Sequence, residues 1–172
     1  MEGRGVYFCP RRMNINGFTI RADSRDKDKY RWTFESFLDD KELIGVKNEK
    51  VEVGDYEIIE LPEKTLCIER KKSFSEISNN VSKKDTPRFK RELEKMKEYK
   101  YSYIIMEFTF HDLLNGSKFT QLSPAYILSV LLEIEAVYGI NIHFCGHNAE
   151  AFCYRIMRKI WFLENGHTRW LN

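Results

Sequence analysis

The amino-acid sequence predicts an α/β protein in which a mixed central sheet is flanked by helices. Segments with strand patterns alternate along the chain with segments of helical pattern, and this order indicates a sheet with helices on both faces. The segment Tyr101 to Phe108 is a nearly continuous apolar run, as expected of a central strand covered on both faces. A length of 172 residues is enough for one domain with a single sizeable core.

The N-terminal half is predicted to contain a flexible arm, one helix and the first strands of the sheet. Residues 1–17 contain glycine, proline and asparagine and are expected to form the arm, which leaves 18–172 as the single domain. Phe18 to Asp23 alternates apolar and polar residues, which predicts the first strand. Aromatic residues between Lys29 and Leu43 recur at roughly helical spacing, which predicts a helix. Further strands are predicted at Lys50–Glu60, with a break at Gly54, and at Thr65–Lys71.

The C-terminal half is predicted to contain most of the helices. Ser73 to Val81 is expected to be a short helix, because Ser73 suits the N-cap and Glu76 stands in the capping-box position. A second helix is expected to begin at Thr86 as the N-cap, with Pro87 as its first residue. The remaining predictions are a loop at His111–Asp112, helices at Tyr126–Tyr138 and His147–Leu163, and a strand at Ile140–Cys145.

Charge and cysteine content bear on partners and compartment. The net charge is only +2, so any affinity for nucleic acid has to come from local basic patches. Four cysteines in a chain of this length do not indicate a disulfide scaffold. No apolar run approaches the length of a membrane span and no signal peptide opens the chain, so we expect a cytoplasmic or nucleoid-associated protein, with a phage origin left open. The basic patches are Arg11–Arg12, Lys27–Arg31, Lys71–Lys72 and Lys83–Lys100.

Two triplets at the ends of predicted strands indicate a metal site. Gly54-Asp55-Tyr56 ends one apolar run, and Glu69-Arg70-Lys71 ends the next. Because side chains alternate across a strand, Glu69 and Lys71 are expected on one face and Arg70 on the other. If the two strands are neighbours, Asp55 comes beside Glu69 and Lys71, and two carboxylates of this kind suit a hard divalent cation such as Mg²⁺.

With these residues in place, the sequence resembles the nuclease domain of the XPF/MUS family, a branch of the PD-(D/E)XK superfamily. The resemblance covers roughly Phe18 to Leu163, and the family pattern is Gly-Asp-Tyr followed by Glu-Arg-Lys at about this spacing. In two places the chain differs from the family and keeps a carboxylate: Asp26 stands where the family has glutamate, and Glu76 stands near the position of a family aspartate. The segments that carry the resemblance are Asp23–Asp26, Gly54–Tyr56, Glu69–Lys71, Arg88–Phe89 and Ile104–Glu107.

The resemblance implies a restriction-endonuclease-like core and a DNA endonuclease that depends on Mg²⁺ or Mn²⁺. Asp55 and Glu69 would hold the metal, with Asp23 assisting directly or through water. Lys71 is expected to stay protonated between carboxylates and to position water or stabilise charge. Arg70 and Arg25 would tie the site together through pairs with acids such as Asp26 or Glu76.

The resemblance also implies partners and leaves several substrates open. Family members pair through their last helices, so a homodimer is expected through residues 123–163, although Trp161 and Trp170 could instead fold back on the core. The implied substrate is branched DNA, such as a flap, a fork or a Holliday junction, in recombination or repair. A non-catalytic DNA-binding or scaffold subunit and a restriction-like duplex endonuclease stay open as alternatives. A zinc site built from His143, Cys145, His147 and Cys153 is disfavoured, because these residues read as a strand that turns into a helix.

Overall fold

The protein is described here by a computed structural model that covers residues 17–27, 29–118 and 120–167. Six strands form one sheet, and helices pack on both of its faces, which confirms the predicted fold class. The described strands are β1 (Phe18–Asp23), β2 (Leu43–Glu49), β3 (Tyr56–Ile58), β4 (Leu66–Lys71), β5 (Tyr101–Met106) and β6 (Asn141–Phe144). The described helices are α1 (Phe74–Asn80), α2 (Thr86–Met96), α3 (Phe110–Asn115), α4 (Pro124–Tyr138) and α5 (Ala149–Glu164), with short 3-10 helices at Glu35–Phe37 and Gly146–Asn148.

The strand order is β2-β1-β3-β4-β5-β6, and the direction of β3 creates a single polar edge. β3 runs antiparallel to both β1 and β4, whereas the other neighbouring pairs, β1–β2, β4–β5 and β5–β6, are parallel. The carboxyl ends of β1, β4 and β5 therefore meet the beginning of β3. We call this the carboxyl edge of the sheet. The residues at these positions are Asp23, Lys71, Met106 and Tyr56.

Two hydrophobic layers cover the sheet, and they fix which way each residue of β4 points. Leu66 and Ile68 belong to the layer that α5 covers, whereas Cys67 belongs to the layer beneath α1, α2 and α4. Alternation along the strand then continues into the polar end of β4. Arg70 points to the α5 side, and Glu69 and Lys71 point to the α2 side, as predicted.

The predicted helix at Lys29–Leu43 is wrong. Within that range the structure contains only the 3-10 helix, and β2 begins at Leu43. Phe34 adopts a left-handed backbone (φ 57°), and Trp32 stacks on Tyr56 with ring centroids 5.2 Å apart. The aromatic spacing that suggested a helix thus serves tertiary packing of an irregular segment. β2 was missed because only its first residue, Leu43, is buried, so the strand lacks the alternation of a half-buried strand.

Smaller differences affect three other segments. Lys50–Val53 is irregular and not a strand, and the predicted loop at His111–Asp112 lies in α3, where Thr109 and Asp112 form a capping box. The N-cap of α2 is Asp85 in place of Thr86. The predicted arm lies outside the described residues, apart from Gly17. In the described ranges, no helix has the length and apolar content that crossing a membrane would require.

Candidate active site

The carboxyl edge brings the predicted acids onto neighbouring strands. The amide of Asp23 donates to the carbonyl of Asp55 at 2.8 Å, and the amide of Asp55 donates to the carbonyl of Ile68 at 2.8 Å. These bonds place β1, β3 and β4 side by side at the point where the acids occur. Asp55 and Glu69 both line a polar cavity of about 430 Å³, together with Asp26, Arg70, Lys72 and Glu76.

In the Gly-Asp-Tyr triplet, the two residues on either side of Asp55 each have a structural role. Gly54 has φ +82°, and a Cβ there would lie 2.8 Å from both the Cys67 Sγ and the Ile68 carbonyl oxygen. Glycine therefore allows the chain to approach β4 closely just before Asp55. The Tyr56 ring is buried against Trp32 and Phe34, and its hydroxyl accepts from the Trp32 amide at 3.3 Å. Gly54 and Tyr56 thus hold the backbone on both sides of the half-buried Asp55 in place.

Asp55 is hydrogen-bonded to β4 and lies close to a second acid, Glu69. Its Oδ2 accepts a hydrogen bond of 2.7 Å from the backbone amide of Arg70. Burial, followed by the negative charge of Glu69, raises the pKa of Asp55 well above its ordinary value, although the Arg70 amide opposes this. Two carboxylates that repel one another at a polar cavity are stabilised by a cation placed between them.

Lys71 is a buried cation held between two acids. Its Nζ lies 2.6 Å from Glu69 Oε1 and 3.5 Å from Glu76 Oε1, and 5.4 Å from the centre of the Phe89 ring. Burial alone would lower the pKa of Lys71, but the charges of Glu69 and Glu76 outweigh it and the pKa is raised. The side chain is therefore an ammonium group and not a neutral base.

Arg70 organises the opposite face of the same strand. Its Nε donates to Glu107 Oε1 at 2.7 Å, its Nη1 lies 3.4 Å from Asp26 Oδ2, and its Nη2 donates to the Tyr30 carbonyl at 3.2 Å. The guanidinium carbon also lies 5.5 Å from the centre of the Trp32 ring. Of the pairs predicted for Arg70, the one with Asp26 is present, whereas Glu76 instead accepts from the Lys72 amide and lies beside Lys71.

Asp23 lines a second cavity, of about 320 Å³, together with Asp55 and Glu69, and its carboxylate is already paired with Arg25. Both of its oxygens accept from the Arg25 Nε, at 3.0 and 2.9 Å, and Oδ1 also accepts from the amides of Arg25 and Val51. Burial would raise the pKa of Asp23, but these hydrogen bonds lower it below its ordinary value. Arg25 likewise pairs with Asp23 and donates to the Val51 carbonyl at 2.6 Å, not to Asp26 or Glu76. Asp23 and Arg25 thus brace the loop that leads to Asp55.

Glu107 and the aromatic residues around Arg70 were not predicted as site residues. Glu107 follows β5 directly, and its amide donates to the carbonyl of Lys71 at 2.8 Å. Glu107 could have been predicted from the sequence, because it follows the apolar run of β5 and the carboxyl ends of adjacent parallel strands lie at the same edge of a sheet. Trp32 carried no such signal, since only tertiary packing brings the segment before β2 against β4.

The donor set at the cavity fits a magnesium-type ion with few protein ligands. Asp55 and Glu69 supply two carboxylates, and Mg²⁺ in proteins is commonly held by one or two carboxylates while it keeps several waters. Across the described ranges, no group of three or more His, Cys, Asp or Glu side chains is arranged to hold a metal ion. The residues therefore suit an open, water-rich site and not a closed protein cage.

The other predicted functional segments lie away from this cavity. His143 packs against Tyr103 and Phe152, with ring centroids 5.9 and 4.9 Å away, and Cys153 is buried in the core. Trp161 lies against Phe18 in the core, whereas Trp170 is outside the described residues. The apolar face of α5 covers the sheet, but α4 leaves Tyr126, Leu132 and Val137 about half exposed.

Comparison with solved structures defines the class of fold. The chain is similar to XPF from Aeropyrum pernix, with a TM-score of 0.60 and 15% identity over 87% of this chain and 66% of that one. The structure of the same protein in complex with DNA gives a TM-score of 0.59 and 16% identity over 86% of this chain and 65% of that one. The present chain thus spans just under two thirds of those chains, and it has the fold of an XPF-type nuclease domain.

Comparison of the sequence with protein families gives the same assignment independently. The model of the ERCC4 domain matches residues 22–154, which is most of the chain. The protein belongs to the ERCC4 domain family, and the resemblance drawn from its two triplets is confirmed. No curated protein matches the sequence at a significant level.

Proposed function

We propose that this protein is a divalent-metal-dependent endonuclease that hydrolyses phosphodiester bonds in DNA. The observation that carries the proposal is the pair Asp55 and Glu69 at an open polar cavity, with the buried ammonium group of Lys71 bound to Glu69. Membership of the ERCC4 domain family supports it. The known structure of a similarly folded XPF in complex with DNA supports DNA as the substrate.

Each side chain at the cavity has a role that follows from its contacts. Asp55 and Glu69 would hold Mg²⁺ or Mn²⁺, which when bound supplies Lewis-acid polarisation of a phosphoryl oxygen and makes the attacking water more acidic. Lys71 stays charged beside Glu69 and stabilises the negative charge that develops on the phosphate. Arg70 holds the end of β4 in place through Glu107 and Asp26 and so positions Asp55 through its own amide.

Cleavage assays with a charge-neutralised variant test the proposal. Labelled flap, fork, four-way-junction and linear duplex DNA are incubated with Mg²⁺, with Mn²⁺ or with a chelator. We expect metal-dependent cleavage by the wild type, preferentially of the branched substrates, and no cleavage by Asp55→Asn. Glu98→Gln is the matched control, because Glu98 is an exposed acid that pairs with Lys64 and lies outside the cavity.

The outcomes separate the site assignment from the rival functions. Unchanged cleavage by Asp55→Asn would contradict the site. Absence of cleavage on every DNA would favour a non-catalytic scaffold, and discrete bands on linear duplex would favour a restriction-like enzyme. A second readout is independent of turnover: Mg²⁺ should raise the melting temperature of the wild type and not that of Asp55→Asn, because only the native state with both carboxylates binds the ion.

We also propose that the protein acts as a homodimer in the cytoplasm or on the nucleoid. Burial of the half-exposed apolar residues of α4 would be favourable, and exposed apolar patches commonly mark protein interfaces. A two-fold dimer would bring two active sites to one branched substrate.

A further inference from the structure

The basic segment before β2 carries an exposed aromatic side chain at the rim of the candidate active site. Tyr30 is 66% exposed, the largest exposed fraction among the large apolar side chains of the described residues. It lies within the patch Lys27–Arg31, to which neither the metal site nor the proposed chemistry gives a role.

Neighbouring contacts hold Tyr30 in place although its ring is exposed. Its carbonyl accepts from Arg70 Nη2 at 3.2 Å, and Arg31 Nη1 lies 3.5 Å from the Asp26 carbonyl. Two residues further on, the Trp32 ring is buried against Tyr56. The segment is thereby hydrogen-bonded to the strand that carries Glu69 and Lys71, and this places Tyr30 beside the cavity.

Two ammonium groups lie over this ring. The Nζ of Lys29 lies 4.7 Å from the ring centre, and the Nζ of Lys72 lies 5.2 Å from it. Lys72 also lines the cavity of Asp55 and Glu69, so the ring and the cavity share one wall. An aromatic face flanked by cations is the combination that binds single-stranded nucleic acid, because bases stack on the ring while the cations follow the phosphates.

We propose that an unpaired nucleobase next to the bond to be cut stacks on Tyr30 in place of one of these ammonium groups, while the exposed side chains of Lys29 and Lys72 turn to bind the adjoining phosphates. The inference rests on the proposed function and specifies its substrate as DNA with a single-stranded segment at the site. Bases within a duplex are already stacked on one another and offer no free face to the ring. Because every base has such a face, the contact selects an unpaired strand and not a sequence.

Binding measurements in a chelator test this contact apart from cleavage. Fluorescence anisotropy compares an oligothymidylate of about 12 nucleotides with an abasic chain of equal length and charge. We expect the wild type and Tyr30→Phe to bind the thymidylate more tightly than the abasic chain, and Tyr30→Leu to lose about tenfold in affinity for the thymidylate alone. Tyr138→Leu is the matched control, since Tyr138 also has a lysine, Lys97, near its ring (5.9 Å) but lies away from the cavity.

Removal of the Lys72 charge gives a second result, which can be distinguished from loss of the Tyr30 ring. Lys72→Gln should weaken binding of both chains and reduce the dependence of affinity on salt by about one phosphate contact, while the preference for bases is kept. Equal affinities of the wild type and Tyr30→Leu for the thymidylate would overturn the proposal, as would a wild type that does not bind it. Either result leaves the nuclease proposal standing if Mg²⁺-dependent cleavage persists, whereas an inactive wild type that still shows the base preference would overturn only the nuclease proposal.

Discussion

At the scale of single residues, Gly54 shows how backbone geometry positions an acid of the candidate active site. Its φ is +82°, and a Cβ added at this position would lie 2.8 Å from the Ile68 carbonyl oxygen, so there is no room for a side chain. The residue immediately after it is Asp55, whose amide binds that same carbonyl. The position of the Asp55 carboxylate therefore depends on the absence of a Cβ one residue earlier.

Gly54→Ala is expected to lower the free energy of unfolding by about 2–4 kcal/mol, because it adds a backbone clash to the strain of a left-handed conformation. Gly139→Ala is the control, since Gly139 has φ +68° with nothing within 4 Å of the added carbon. The control should cost only about 1–2 kcal/mol. Urea denaturation measures both, and equal losses would show that the approach to β4 does not matter.

Arg70 is the residue whose loss should affect the site most broadly. Its side chain is 5% exposed and pairs with Glu107 and Asp26, which are themselves only 20% and 22% exposed. Arg70→Gln is expected to destabilise the protein by about 2–3 kcal/mol, since it leaves two poorly solvated acids without their cation.

The comparison for Arg70 is an exposed pair on α2. Arg88 lies 3.6 Å from Glu92, with side chains 63% and 44% exposed, so Arg88→Gln should cost less than about 0.5 kcal/mol. Thermal unfolding of both variants measures the difference. Similar melting temperatures for the two variants would mean that the buried pairs contribute no net stability.

At the scale of secondary structure elements, α1 connects a capping interaction to the candidate active site. The Ser73 side chain accepts from the Glu76 amide at 3.2 Å, and Glu76 in turn lies 3.5 Å from Lys71 Nζ. Ser73→Ala should lower the free energy of unfolding by about 1 kcal/mol, whereas Ser73→Thr should keep most of the cap. Chemical denaturation measures the two variants, and an equal loss in both would contradict a role for the hydroxyl oxygen.

Elements with a strong local signal were predicted well, and elements defined by distant contacts were not. β1 has the predicted bounds because its alternation is regular, and α4 ends at Gly139 because that residue takes the left-handed backbone. In contrast, Trp32, Phe34, Phe37 and Leu38 together had roughly the spacing of a helix, but Trp32 and Phe34 insert into an aromatic cluster with Tyr56. No local pattern reveals such packing, so the segment before β2 could not be predicted from the sequence.

In the candidate site too, features set by local sequence patterns were predicted, whereas features set by tertiary contacts were not. The placement of Glu69 and Lys71 on one face and Arg70 on the other follows from strand alternation alone. The pairing of Asp23 with Arg25 could not be decided in advance, because a carboxylate near a cavity can bind either a cation or a neighbouring arginine. Its partner depends on the turn that follows β1.

At the scale of the whole molecule, the exposed apolar residues of α4 predict an association that can be tested apart from catalysis. Leu132 is 56% exposed on α4, and Ile44 is 61% exposed on β2 at the edge of the sheet. If the homodimer forms through α4, Leu132→Asp should convert it to a monomer, whereas Ile44→Asp should not. Sedimentation equilibrium measures this, and a monomeric wild type would contradict the dimer without bearing on the metal site.

The packing of α5 joins the two ends of the described chain. Glu150 accepts from the Phe34 amide at 2.6 Å, Arg158 lies 3.1 Å from Glu42, and Trp161 packs on Phe18. The layer that supports β1 and β3 is therefore incomplete until the chain has been synthesised through Trp161. In a polypeptide that has not yet been extended to α5, the strands that carry Asp55 and Glu69 would lack one of their two covering layers, so the cavity that these acids line would not be supported before α5 is present.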